Sequence, residues 1–150
     1  MKIFIVLTTI IFLSACGEKT SDAVIAKKSS MVVVKTCAFD APAKNSRLSG
    51  SKEFNVIGWA FDNQTAGSQN KVRVQFDSVE NAASKSFDVP LNVKRPDIAE
   101  AFKDPKLENT GFVVTIPAKS LMPGRYEIKI LQDRPNETTV CGDGHAVVIE

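Results

Sequence analysis

Lys71-Val72-Arg73-Val74-Gln75-Phe76-Asp77 is the stretch on which the fold turns. Apolar and polar residues alternate through it without a break. In an extended chain successive side chains point to opposite faces. Val72, Val74 and Phe76 therefore share one face, and Lys71, Arg73, Gln75 and Asp77 share the other. That pattern is a half-buried strand, part of a sheet with one face on a core and one in water.

The same signal recurs on both sides. Downstream, Ser78 to Ser84 is polar enough for a hairpin loop, and Ser86-Phe87-Asp88-Val89 returns as a strand stopped by Pro90. Upstream, Phe54-Asn55-Val56-Ile57-Gly58-Trp59-Ala60-Phe61-Asp62 carries apolar groups on both faces. This suits a central strand, or a bulge at Gly58 that re-aims the chain. A polar turn from Asn63 to Asn70 follows. Met31 to Ala38 is short and β-branched, hence a strand, and Lys44 to Lys52 reads as a polar loop.

Towards the C-terminus, Gly111 to Ile116, Arg125 to Ile130, Thr138 to Cys141 and Ala146 to Ile149 are further strands. Leu121-Met122-Pro123-Gly124 between them has the residues of a type II turn. One segment differs. Arg95 to Phe102 reads as a short helix, with Pro96 in its first turn and Asp97 and Glu100 where the helix dipole favours acids. Ile98, Ala101 and Phe102 fall on its apolar face, and Asp104-Pro105 ends it. The sum is an all-β chain: an immunoglobulin-like antiparallel β-sandwich of about seven or eight strands with one short helix.

The N-terminus is of another kind. Met1-Lys2 is a positive start, and Ile3 to Leu13 is apolar apart from Thr8 and Thr9. Eleven helical residues rise about 16 Å, well short of a bilayer core. The run reads as a signal-peptide core rather than a spanning helix. Leu13-Ser14-Ala15-Cys16 closes it, and this tetrad resembles the bacterial lipobox. The resemblance implies cleavage before Cys16 and a membrane anchor of acyl chains on that cysteine. Two or three chains are needed for stable anchoring, at ~0.8 kcal/mol per buried CH2. By the same resemblance, Gly17, at the position where Asp tends to retain lipoproteins of enteric bacteria in the inner membrane, implies outer-membrane delivery. The expected organisation is a signal peptide over 1–15, a lipid-anchored flexible tether over 16–30 and a β-sandwich domain over 31–150.

Residues 1–15 hold one base and no acid. Removing them leaves 135 residues with 18 basic and 17 acidic side chains, enough for one domain with a core. The two signs are intermixed, without the concentrated basic face of a nucleic-acid binder. With Cys16 spent on lipid, Cys37 and Cys141 form an even pair in an oxidising compartment. The simplest reading is one disulfide between them, and the alternative is two buried free thiols.

Gly58-Trp59-Ala60-Phe61-Asp62, Arg95-Pro96-Asp97-Ile98-Ala99, Gly111-Phe112, Leu121 and Pro123-Gly124-Arg125-Tyr126 form an ordered series over residues 53–131. It resembles small β-sandwich modules appended to bacterial envelope proteins, including some membrane glycosyltransferases. The resemblance implies a non-enzymatic accessory domain and carries over no catalytic residue.

The residues point the same way. No Gly-x-Ser-x-Gly elbow, Walker loop or His-Glu-x-x-His motif occurs. Cys141-Gly142-Asp143-Gly144-His145 looks like part of a metal site but has the only histidine and too few ligands for zinc. No metal, cofactor or catalytic residue is assigned. The expected function is a protein-binding or assembly module of the envelope. The alternative is a carbohydrate-binding module, with Trp59, Phe61, Asp62, Arg95 and Asp97 as candidate contacts. Each has a structural reading beside that one. Trp59 and Phe61 would be core, Asp62 a cap on its turn, and Arg95 and Asp97 the residues that position the helix. The expected partners are the membrane, through Cys16, and an envelope protein or glycan.

Overall fold

A computed structural model of the chain describes residues 30–62, 70–142 and 144–150. Leu13 to Cys16, the tether up to Ser29, the turn after Asp62 and Asp143 lie outside the described residues. The strands are β1 (Ser30–Val33), β2 (Cys37–Ala41), β3 (Arg47–Leu48), β4 (Phe54–Ala60), β5 (Lys71–Ser78), β6 (Ser84–Pro90), β7 (Gly111–Ile116), β8 (Gly124–Asp133), β9 (Glu137–Cys141) and β10 (Ala146–Ile149). Helix α1 (Pro96–Phe102) and a 3-10 helix (Pro105–Asn109) lie between β6 and β7.

Two sheets face each other. β2, β4 and β7 form a three-stranded antiparallel sheet with β4 in the middle. In the seven-stranded sheet the ten-residue β8 is the hub. It pairs with β5 along one side and with β9 and β10 along the other. β6 extends the sheet beyond β5, β1 beyond β9 and β3 beyond β10. The pairing is antiparallel except for β1 with β9 and β3 with β10. Val72, Val74, Phe76, Tyr126, Ile128, Ile130, Val147 and Ile149 meet Val56, Ala60, Phe112 and Ile116 in one core. This is an immunoglobulin-like β-sandwich, and the alternation in β5 and β8 points into its core as the sequence pattern requires.

Among the described residues ten strands stand where seven or eight were expected. Met31 to Ala38 is two strands in different sheets: β1 pairs with β9, and β2 pairs with β4. The expected loop over Lys44–Lys52 contains β3, a two-residue strand made by pairing with β10 rather than by its own pattern. Asp104-Pro105 ends the α-helix but opens the 3-10 helix, with the Asp104 side chain accepting from the Lys106 N–H.

The bulge is not at Gly58. β4 runs in unbroken register with β7, and the irregularity lies opposite, between Phe39 and Ala41 of β2. Gly58 serves close approach instead. A Cβ there would sit 2.4 Å from the Ala38 carbonyl and 2.8 Å from the Phe112 ring. Gly124 is not the corner of a type II turn but the first residue of β8, at φ +151°, open only to glycine. On α1, Ile98 is buried but Ala101 faces solvent.

Candidate functional site

β4 leaves the core in two directions. Val56, Gly58 and Ala60 point inward, so Ile57 and Trp59 lie on the outer face of the three-stranded sheet. The segment from Arg95 to Asn109 folds over one end of that face. Ile98 and Leu107 form there, with Phe61 and Trp59, a second small core. Trp59 stacks on Phe61 with centroids 5.8 Å apart and planes 18° apart. Phe102 closes on both rings, 6.0 Å from Trp59 and 4.8 Å from Phe61. Phe61 is buried, Trp59 is half-buried and Phe102 is 47% exposed.

Arg95 straps this corner to the sheet. Its stem crosses Gly111, where a Cβ would lie 2.8 Å from Arg95 Cγ. Gly111 is the cross-strand partner of Trp59, so the stem runs over the same outer face. The guanidinium then reaches the far edge strand, where Nη1 donates to Asp40 at 2.6 Å. Nε and Nη2 donate to Asp97 at 2.9 and 2.7 Å. Asp40 is the residue at which β2 breaks register, so the bulge delivers the carboxylate to the strap. The bonds to Asp97, with the charge of Asp40, hold the Arg95 pKa above its ordinary value. The bonds from Arg95 hold the Asp97 carboxyl below its own.

Trp59, Phe61, Arg95 and Asp97 are thus brought together, and Asp62 is not. Asp62 is 2% exposed and bonded to Arg134, whose Nη1 also donates to Glu137 at 2.8 Å. It belongs to a buried polar network at the end of the sandwich. There Thr139 donates to the Gln132 Oε1, and the Gln132 amide reaches the Phe61 carbonyl. A buried carboxylate needs such a partner, since an unpaired charge in the interior is costly. Phe102 and Asp40 were not among the sequence candidates. Phe102 carried a signal as the last apolar residue of the helix; Asp40 carried none, because its role comes from a bulge.

Cys37 and Cys141 form a disulfide with Cα atoms 6.1 Å apart, joining β2 of one sheet to β9 of the other. That excludes the free-thiol alternative and removes Cys141 as a metal ligand or nucleophile. His145 stands apart from the aromatic corner. Its Nε2 is 2.9 Å from the Pro42 carbonyl and its ring is 4.6 Å from Phe39. Burial lowers its pKa, and Lys44 adds to this against the opposing bond to Pro42. Among the described residues no three His, Cys, Asp or Glu side chains are grouped as a metal would require. No helix among them is long and apolar enough to cross a membrane.

No family model matches the chain, and neither does any curated protein. Among solved structures it is similar to the endo-β-1,4-mannanase from Thermotoga petrophila, at 15% identity and a TM-score of 0.48. That likeness covers 77% of this chain and 19% of the mannanase, so the chain spans about a fifth of that protein. It is also similar to fibronectin(III)-like modules of Clostridium thermocellum CbhA, at 12% identity and a TM-score of 0.39, covering 75% of this chain and 93% of that one.

Proposed function

We propose that this chain is a lipid-anchored, non-enzymatic binding or assembly module of the cell envelope that docks a partner protein at its aromatic corner. The observation that carries the reading is Phe102. A large aromatic side chain stands 47% exposed on a short helix that Arg95 ties to the sheet. Half-buried Trp59 packs against it, and Val113, 43% exposed, pairs with Ile57 on the same sheet face as Trp59. Rigid, partly exposed aromatics flanked by charge are what protein interfaces concentrate. The anchor at Cys16 supplies the address.

The experiment is crosslinking and pull-down from intact cells with the Cys16 anchor kept, comparing wild type with Phe102→Ala. A partner recovered with wild type and lost with the variant is the expected result. Equal recovery would remove the corner as the docking surface. Cys16→Ala should move the protein out of the membrane fraction, and unchanged fractionation would remove the anchor.

The carbohydrate-binding reading rests on the same corner, where half-buried Trp59 packs on exposed Phe102 and Arg95 pairs with Asp97. Trp59 is the only tryptophan, so its emission reports on that corner alone. A fluorescence shift on titration with envelope glycans would favour the glycan. An unchanged spectrum counts against it.

A further inference from the structure

Alternation along β8 turns Tyr126, Ile128 and Ile130 to the core, and the next residue in that series is Gln132. Its cross-strand partner on β9 is Thr139, whose own partner on β1 is Val32. The row runs from the interior out to an edge strand: Gln132 and Thr139 are each 1% exposed, and Val32 is 40% exposed. A cleft of about 200 Å³ opens along it. Val32 and Val34 give the cleft an apolar wall. Asp62, Arg134 and Glu137 join Gln132 and Thr139 as its polar groups.

Polar side chains at core-facing positions are costly, and natural chains depart from the apolar pattern chiefly where a site needs them. The hydrogen bonds inside this group leave donors over. The Gln132 amide meets the Phe61 carbonyl at 3.4 Å, beyond the usual range for such a bond. Among the described residues the buried Nε of Arg134 has no acceptor.

We propose that this cleft binds a single neutral sugar ring. Its volume equals about seven water molecules at ~30 Å³ each, room for one ring and not for a chain. Its charges exclude ions of either sign. Asp62 and Glu137 outweigh Arg134 and repel an anion, and Arg134, bonded to both, repels a further cation. A hydroxyl both accepts and donates. A hydroxyl-rich ring therefore accepts from Arg134 and Gln132 and donates to Glu137, with its C–H surface against the valines. The site is separate from the aromatic corner of the proposed function and does not depend on it.

The test uses the full anchored chain in a detergent without a sugar headgroup. D-glucose, D-mannose and D-galactose are titrated in turn by ligand-observed NMR, with acetate and ethanolamine as charged controls. One hexose should bind with a Kd of about 1 mM, as befits a ligand of so few atoms. Gln132→Leu with Thr139→Val, which keeps the volume and removes the polar floor, should weaken it at least about tenfold. Val32→Phe should do the same by filling the exposed mouth while the polar groups stay intact. Peptide mapping of the Cys37–Cys141 bridge confirms that each variant has folded. Phe102→Ala should bind as wild type does, so failure of this site and failure of the docking corner are told apart. A methyl glycoside of the hexose that binds separates the end of a glycan, which tolerates the methyl group, from the free sugar, whose binding is then lost. The proposal is overturned if none of the three hexoses saturates by about 20 mM, or if acetate or ethanolamine binds as tightly. Wild-type affinity in either folded cleft variant, or its loss in Phe102→Ala, overturns it as well.

Discussion

His145 shows how much a single residue depends on its surroundings. In the sequence it is a lone histidine beside a cysteine; in the structure it packs on Phe39 and bonds to the Pro42 carbonyl. Burial depresses its pKa below the ordinary 6.5, so the folded chain prefers the neutral ring. The unfolded chain takes up the proton first as pH falls. The contribution of His145 to stability is therefore complete above about pH 6.5, declines as pH drops through it, and levels off below the folded pKa. The carboxylates behave oppositely in cause but lose stability on the same side. Asp77 is pushed up by burial but pulled further down by Ser84, Lys129 and Gln75, so its contribution is present above about pH 4 and lost below. Urea midpoints at about pH 7.5 and about pH 5.5 separate the two, because the window brackets the ordinary histidine value and lies above that of Asp77. Wild type should lose stability between them, and His145→Gln should lose less. An equal loss in both would show that His145 is not the group responsible.

At the scale of the element, α1 is the instructive case. Its seven residues are too few to be stable alone in water. Arg95 at its N-cap makes no capping bond from its side chain and holds the helix to the sheet through Asp40 and Gly111 instead. Arg95→Ala should cost about 1–2 kcal/mol, from lost hydrogen bonds and lost stem packing. Trp59 emission should shift red as the corner loosens. Arg95→Lys should not rescue it, because an ammonium cannot serve Asp40 and Asp97 from one planar fork. A denaturation midpoint and emission maximum unchanged in Arg95→Ala would show that the strap holds nothing. Much of α1 was legible: Pro96, Asp97 and the apolar positions mark its limits within a residue. Its exposed Ala101 was not, because periodicity gives a face without saying how wide a surface the neighbours cover. β2 and β3 were illegible for a related reason. A bulge and a two-residue strand are defined by their partners, and neither leaves a period in its own residues.

At the scale of the whole molecule the Cys37–Cys141 disulfide is the covalent constraint, closing the chain over a sequence separation of 104. It joins the two sheets beside the core, so its loss acts on both. Cys37→Ser with Cys141→Ser should lower stability by about 2–5 kcal/mol, read from denaturant midpoints under non-reducing conditions. A midpoint matching wild type would mean that the core alone holds the sheets together. By itself the sequence determined that this chain is built of short strands with one face buried, that a helix interrupts them, and where most of them lie. Those features follow from local periodicity and from Gly and Pro, which act within a few residues. Only the tertiary structure decided that Met31 to Ala38 divides between two sheets, that Asp62 is buried against Arg134 while Arg95 spans the outer face, and that Phe102 stays exposed. Each of those outcomes depends on residues tens of positions apart coming within bonding distance, and pairing across such spans leaves no mark in the order of the residues that form it.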